Sequence, residues 1–436
     1  MGMNAVLDRR RVLAPLPVSG TAQLSSAAGL ILSLLALRWG AGIAENFGFS
    51  NISELAAILM LAGLGLVFVM QFRLAADSWL LVAGLLSWAF VGALSLLAND
   101  VPAPVKSLTL LALLALYALF ANGCVLHLRT PAALRCVTLF AAAFIGLGAL
   151  LSFYQIATGI GFVEPGNISI QRAFGSDVHP VSFAIQLVGA LTLLEIGRTR
   201  LGRRISLIYG ILFLMGGIAL YLTFARTGWI MAMIVVGFGY LSQRSLPVKT
   251  FFLAVSVPLI VGLTISSGRF SDLGSLATFW ANFSFDNLVF DYRYIDNSMS
   301  WRIVNWGYGL QQAFEQPILG FGPGQSASSS YFELEMHNLL LESFYEGGIF
   351  GAVACILTLG GLARMHMRLP RGTRTDRHAR ALANGFGLSL FLAVMLSTSF
   401  VDQLMSFLIY ILVLVMAAGS NMRGSAHLAI RQPHPG

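Results

Sequence analysis

The chain reads as a succession of apolar runs separated by short polar punctuation. The runs fall at about 22–38, 53–71, 78–98, 107–126, 132–157, 180–196, 205–224, 228–242, 248–266, 337–362, 381–399 and 403–419. Most approach the ~20 residues a helix needs to cross a bilayer. The pattern predicts an all-α polytopic membrane protein of about twelve membrane-spanning helices, because helices satisfy their own backbone groups in lipid. Only 267–335 is long and polar enough to stand outside the bilayer. The expected organisation is helices over 1–266, a large loop or lid with short helices over 267–335, further helices over 336–419, and a tail over 420–436.

Composition agrees: 57% of residues are hydrophobic and 11% charged, with a mean hydropathy of +0.77. That balance excludes a soluble domain. The net charge of +8 is explained by where the basic residues fall. With both termini placed in the cytoplasm, twenty of the 27 Lys and Arg residues lie on the inner side, the bias that orients membrane proteins. No nucleic-acid partner is therefore expected. The basic link from Arg364 to Arg380 suits contact with anionic membrane lipids. Arg9, Arg10 and Arg11 before an apolar run resemble a signal peptide. With no small-residue cleavage site and eleven further runs, the segment reads as a retained first helix. Cys124, Cys136 and Cys355 form no exofacial pair and no zinc spacing, so no disulfide, metal or cofactor is expected.

The outer side is left with a short reactive inventory: Arg38, Lys106, Arg172, Arg226, Arg269, Arg293 and Arg302, with His179 and His337. His337, Asn338, Glu342 and Glu346 crowd the mouth of the run that continues to about 362. Ionisable groups at such depth mark working sites; the plain alternative is helix capping, with the glutamates near the positive helix end. Arg226 sits in a turn so tight that it is a fixed cation, or else an interfacial anchor beside Trp229. Arg302 precedes Trp306 by one turn on a helix that Asn297 or Ser298 would cap, with Ile303, Trp306, Leu310, Ala313 and Phe314 as its apolar stripe. Arg172 is equally suited to snorkelling, and His179 reads as a loop residue before the helix-starting Pro180. The aromatics between Phe279 and Tyr294 suit either the membrane interface or stacking on sugar rings. After Pro317, Gly320, Gly322 and Gly324 read as the hinge of a lid, since no strand precedes them as a phosphate loop requires.

Arginines gathered near an imidazole suit a membrane-tethered polyanion. Guanidinium forks bind phosphate oxygens and stay charged, while an imidazole can accept a proton from an attacking hydroxyl. The ordered set Arg172-Ala-Phe-Gly with Pro180, Arg226-Thr-Gly-Trp, Trp301-Arg302, Pro317 with its glycines, and His337-Asn338 with Glu342, Gly347 and Gly351 resembles the O-antigen ligase/polymerase family of bacterial inner membranes. The resemblance spans roughly 170–365. Ala225 and Val181 stand where members often carry Ser and Asn.

The resemblance implies a GT-C-like architecture and a metal-independent, inverting transfer of an undecaprenyl-pyrophosphate-linked glycan to a sugar hydroxyl at the periplasmic face. The acceptor would be a lipid-linked glycan, for a polymerase, or lipid A–core, for a ligase; family breadth inclines the reading to a polymerase. Carried onto this chain, His337 is the base, Arg226 and Arg302 bind the diphosphate with Arg172, and Asn338, Glu342 and Trp306 support them. The competing class is a twelve-helix transporter or exporter of a lipid-linked or anionic substrate. It would show internal repeats and broken helices meeting at the midplane, and no half-to-half similarity is evident in the sequence.

Overall fold

Where apolar runs are bounded by a capping residue, the chain turns into helix. In the computed structural model the described residues are 24–49, 52–101, 104–164, 167–177, 179–202, 207–241, 298–330, 333–396 and 404–419. Helix α1 is Ser26–Asn46, α2 Ile52–Gln71, α3 Trp79–Ala98, α4 Pro104–His127, α5 Pro131–Thr158, α6 Pro180–Arg200, α7 Leu207–Leu222 and α8 Arg226–Leu241. After the gap come α9 Ser298–Ala313, a single turn α10 Ser326–Ser329, α11 Leu339–Met367, α12 Arg374–Leu396 and α13 Leu404–Ala418. Eight of these helices are long and apolar enough to cross a membrane, and α7 and α13 are shorter apolar helices. The chain is a mostly helical, multi-pass membrane protein. Every predicted run lands on a described helix except 248–266, which lies outside the described residues.

Boundaries move where polar residues are compensated. Helix α1 runs well past residue 38, so Arg38 lies within it rather than beyond its end. Helix α12 starts at Arg374 instead of 381, because Thr373 and Asp376 cap it reciprocally: Asp376 N donates to Thr373 Oγ1 at 3.0 Å and Thr373 N to Asp376 Oδ2 at 3.0 Å. One element is not helical at all. Phe162–Glu164 pairs antiparallel with Asn167–Arg172, a small hairpin that the all-α expectation missed.

Helix α13 is buried on nearly every side, as a helix apolar all round should be, and packs with α4, α6 and α12. Helix α2 turns Leu55, Ile58, Leu59 and Leu66 outward, where lipid can cover them. Charges sort to the two ends of the bundle. At one end Asp77 pairs with Arg129 at 2.8 Å and Arg368 at 2.6 Å, Glu195 with Arg198 and His378, and Asp376 with the buried Arg200. All of these were assigned from the sequence to one side. Arg226, Arg302 and His337 gather away from that network.

Helix α11 is broken. Gly348 has φ 60° and ψ −155°, a conformation that L side chains rarely adopt. The chain from Pro317 to Gly322 fills the break: Ile349 N donates to Pro317 O at 2.8 Å, Phe321 N to Tyr345 O at 2.9 Å and Gly322 N to Glu346 O at 3.0 Å. Irregular backbone at this depth is tolerated because protein groups satisfy it. The run expected as one continuous helix is thus two helical pieces around an inserted strap.

Candidate active site

The site is assembled from three segments that hold one another. The first is the reversal between α7 and α8. Thr223 Oγ1 donates to Leu220 O at 2.7 Å and accepts from Ala225 N at 3.2 Å, while Phe224 takes φ +48°. The chain turns in three residues, and Arg226 opens α8. Arg172, at the end of the hairpin, is buried beneath this turn. Its Nε donates to Thr223 O at 3.0 Å, and Ala173 N donates to Leu222 O at 2.9 Å. One face of the Arg172 guanidinium is therefore committed to positioning the Arg226 turn.

The second segment is α9. Asn305 Nδ2 donates to Glu335 O at 3.1 Å and Trp306 Nε1 to Met336 O at 2.6 Å. Gly309 allows the approach, since a Cβ there would overlap the Met336 side chain. The buried face is Val304, Asn305, Gly309 and Ala313, with Leu310 (44% exposed) and Phe314 (64%) turned away. This corrects the expected stripe: hydrogen bonds to the 335–336 backbone, rather than apolar area, set the rotation of the helix. Trp306 supports the site by fixing the main chain next to His337.

The third segment leads into α11. Asn338 is the N-cap, accepting from Leu341 N at 3.0 Å. Its Nδ2 also donates to Met395 O at 3.3 Å, and Arg302 Nη1 donates to the adjacent Leu396 O at 3.3 Å. The exposed carbonyls ending α12 therefore draw both groups to one place, as a helix C-terminus draws cations and donors.

His337 sits between them, outside the helix, at φ +48°. A non-glycine residue held there costs roughly 1–3 kcal/mol. Of the described non-glycine residues with positive φ, Phe224, Glu333 and His337 all belong to segments framing this site. The His337 ring meets Trp301 edge-on at 5.6 Å between centroids, and the Arg302 guanidinium lies 5.3 Å from the same indole. Burial first, then Arg302, push the His337 pKa down to about 4, against an upward pull from Glu335 that exceeds the further lowering by His179. The imidazole is consequently neutral at pH 7. Burial, then Arg226, lowers the Arg302 pKa in turn. His337 Nδ1 and Arg302 Nε are buried with no hydrogen-bond partner among the described residues. Two guanidiniums and an imidazole thus share one electrostatic neighbourhood.

Glu342 is buried in the first turns of α11 but faces another way. Its Oε1 accepts from Ser326 Oγ at 3.3 Å, and Glu346 Oε1 accepts from Ser326 N at 3.4 Å. Gly320, Gly322 and Gly324, with φ +64°, +107° and +71°, are buried in the strap. A Cβ at Gly320 would come 2.5 Å from the main chain of residues 345–346. Asn99 Nδ2 donates to Gly320 O at 2.9 Å and Ser107 Oγ to Pro323 O at 2.6 Å. The segment expected as a lid hinge is clamped between α3, α4 and α11 in this structure.

Three participants escaped the sequence reading. His179 caps α6 through Nδ1, accepting from Val181 N at 3.2 Å, and also acts electrostatically on His337. Trp301 is the platform shared by His337 and Arg302. Glu335 pairs with Lys106 at 3.3 Å beside the imidazole. Only Pro180 after His179 and the Trp301-Arg302 pair hinted at the first two. Among the described residues, no group of three or more His, Cys, Asp or Glu is arranged to hold a metal ion.

No curated protein matches the chain. Residues 211–356, the stretch bearing Arg226, Arg302, His337 and Glu342, match the family model described as O-antigen ligase, and over that third of the chain the match supports the resemblance to the O-antigen ligase/polymerase family.

Proposed function

We propose that this protein transfers an undecaprenyl-pyrophosphate-linked glycan to a sugar hydroxyl at the periplasmic face of the bacterial inner membrane. The observation that carries the proposal is the convergence of Arg226, Arg302 and a neutral His337, whose Nδ1 has no hydrogen-bond partner among the described residues, at one end of the bundle. In the reaction, the acceptor oxygen forms a bond to the anomeric carbon on the face opposite the diphosphate. The bond from that carbon to the phosphate oxygen breaks, and its electron pair leaves with the diphosphate. Arg226 and Arg302 stabilise that charge. His337 accepts the hydroxyl proton.

The depressed basicity of His337 fits this order of events. Burial opposes protonation of His337 most, and the charge of Arg302 adds to it. A bound diphosphate offsets the field of Arg302, raising the imidazole's proton affinity when an acceptor needs a base. Asn338 and Trp306 hold the His337 backbone, and Arg172 holds the Arg226 turn. The acceptor is either a second lipid-linked glycan or lipid A–core, with the polymerase reading favoured. The break in α11 is a feature transporters also use. Here strap amides occupy its carbonyls, which supports a structural break.

The test is transfer in nanodiscs from a lipid-diphosphate-linked glycan, with lipid-linked repeat units and lipid A–core as competing acceptors. Wild type should extend one of them. His337→Ala should insert and fold normally yet transfer nothing; full activity in that variant removes the assignment of the base.

A further inference from the structure

A second site lies beside the cationic one and has the opposite character. A cavity of about 320 Å³ opens between α1, the start of α2, the 174–177 loop and α6, at the small end of the range of ligand pockets. Among its lining residues, Trp39 and Ser176 are 8% and 4% exposed. Trp39 Nε1, Ser176 Oγ and Arg38 Nε are all buried without a hydrogen-bond partner among the described residues. Buried polar groups are normally satisfied. Three residues lining this one cavity therefore each carry an unsatisfied polar atom.

The cavity is also built rather than incidental. Gln155 clamps the 174–177 loop, accepting from Phe174 N at 3.0 Å and Gly175 N at 2.8 Å and donating to Gly175 O at 2.9 Å. Asn46 Nδ2 donates to the same carbonyl at 3.2 Å. Asp177 receives the Gln186 side-chain amide and His179 N. The loop is continuous with both halves of the cationic site, since Arg172 supports the Arg226 turn and His179 acts on His337.

Charge selects the ligand class. Among the described lining residues Glu45, Glu54 and Asp177 outnumber the one cation, Arg38, so a phosphate would be repelled. The lining combines donor-bearing Trp39, Arg38 and Ser176 with the carboxylates of Glu45, Glu54 and Asp177, a mixture that suits hydroxyls, each of which donates and accepts. We propose that this cavity binds a neutral sugar residue of the glycan substrates, positioning it while the arginines hold the diphosphate. This deepens the transfer reading and rests on it only for the source of the sugar.

The experiment is saturation-transfer NMR on the full chain in nanodiscs, using methyl glycosides of neutral hexoses and N-acetylhexosamines as probes and methyl phosphate as the anionic control. Wild type should bind at least one glycoside through this cavity. Trp39→Phe, which keeps the aromatic packing and deletes one donor, should weaken that binding about fivefold, the worth of one hydrogen bond. Ser176→Leu should abolish it, and methyl phosphate signals should not change in either variant. His337→Ala should bind the glycoside as wild type does, even if it transfers nothing, which separates this site from the transfer chemistry. In the transfer assay, a KM raised for the donor alone or for the acceptor alone in Trp39→Phe identifies which substrate supplies the sugar. Absence of glycoside binding to wild type, or wild-type binding in both cavity variants, overturns the proposal.

Discussion

Replacing Arg302 by Met separates its proposed role, binding an anion, from its effect on the proton affinity of His337. Arg302 and His337 lie 5.3 Å and 5.6 Å from the same Trp301 ring, hence within about 11 Å of each other. At an effective dielectric constant of ~20, a unit charge at that distance opposes protonation by about 1.5 kcal/mol, roughly tenfold in the proton equilibrium. Burial, the larger cause, remains in the variant. The His337 pKa should therefore rise from about 4 to about 5 and stay below the ordinary ~6.5. Carbethoxylation by diethyl pyrocarbonate, followed at the His337 peptide by mass spectrometry across pH 3.5–7.5, reads the neutral fraction directly. The sign for stability follows from the same values. An unfolded chain takes up this proton near 6.5 and the folded one only near 4, so this contribution to stability is present above 6.5 and lost as pH falls through 4. A wild-type midpoint near 6.5, or identical midpoints in the two proteins, would refute the electrostatic argument. So would a midpoint that falls in the variant.

Other substitutions probe the remaining parts. Arg302→Lys should lower transfer nearly as far as Arg302→Ala, because an ammonium cannot reproduce bidentate diphosphate contact; a lysine variant with most of the wild-type rate argues against that binding mode. Gly348→Ala should destabilise the fold by several kcal/mol, since a Cβ would collide with the Ile318 carbonyl at a positive φ. An unchanged thermal midpoint in detergent would show that the strap does not pass where described. EDTA should leave transfer by purified protein intact, and strong inhibition that Mg²⁺ or Mn²⁺ reverses would reveal a metal requirement.

Helix positions were legible because lipid imposes a one-dimensional rule: a segment surrounded by hydrocarbon must be apolar along its whole length. The same rule made His337, Arg226 and Arg302 conspicuous, since charges in such company are rare. It was silent where partners lie far apart in sequence. Arg38 looked like a residue beyond its helix until Glu45 and Asp177 were found near it. Glu342 looked like a neighbour of His337, but Ser326 claims its carboxylate. The glycines from 320 to 324 looked pliable because nothing in their own stretch restrains them. Their restraints come from Asn99, Ser107 and the broken α11.

What the sequence alone determined about this protein is its mostly helical, multi-pass class, the places of its described helices and the segregation of its charges. All of these follow from local composition acting against a bilayer. Tertiary structure alone decided that Arg302 and Asn338 meet on the α12 carbonyls, that His337 is half-buried with its basicity depressed, that α11 is interrupted, and that an acidic cavity opens along the 174–177 loop. Those facts depend on contacts between residues from about 20 to more than 120 positions apart, made through single hydrogen bonds and van der Waals fit. No periodicity in the chain encodes them.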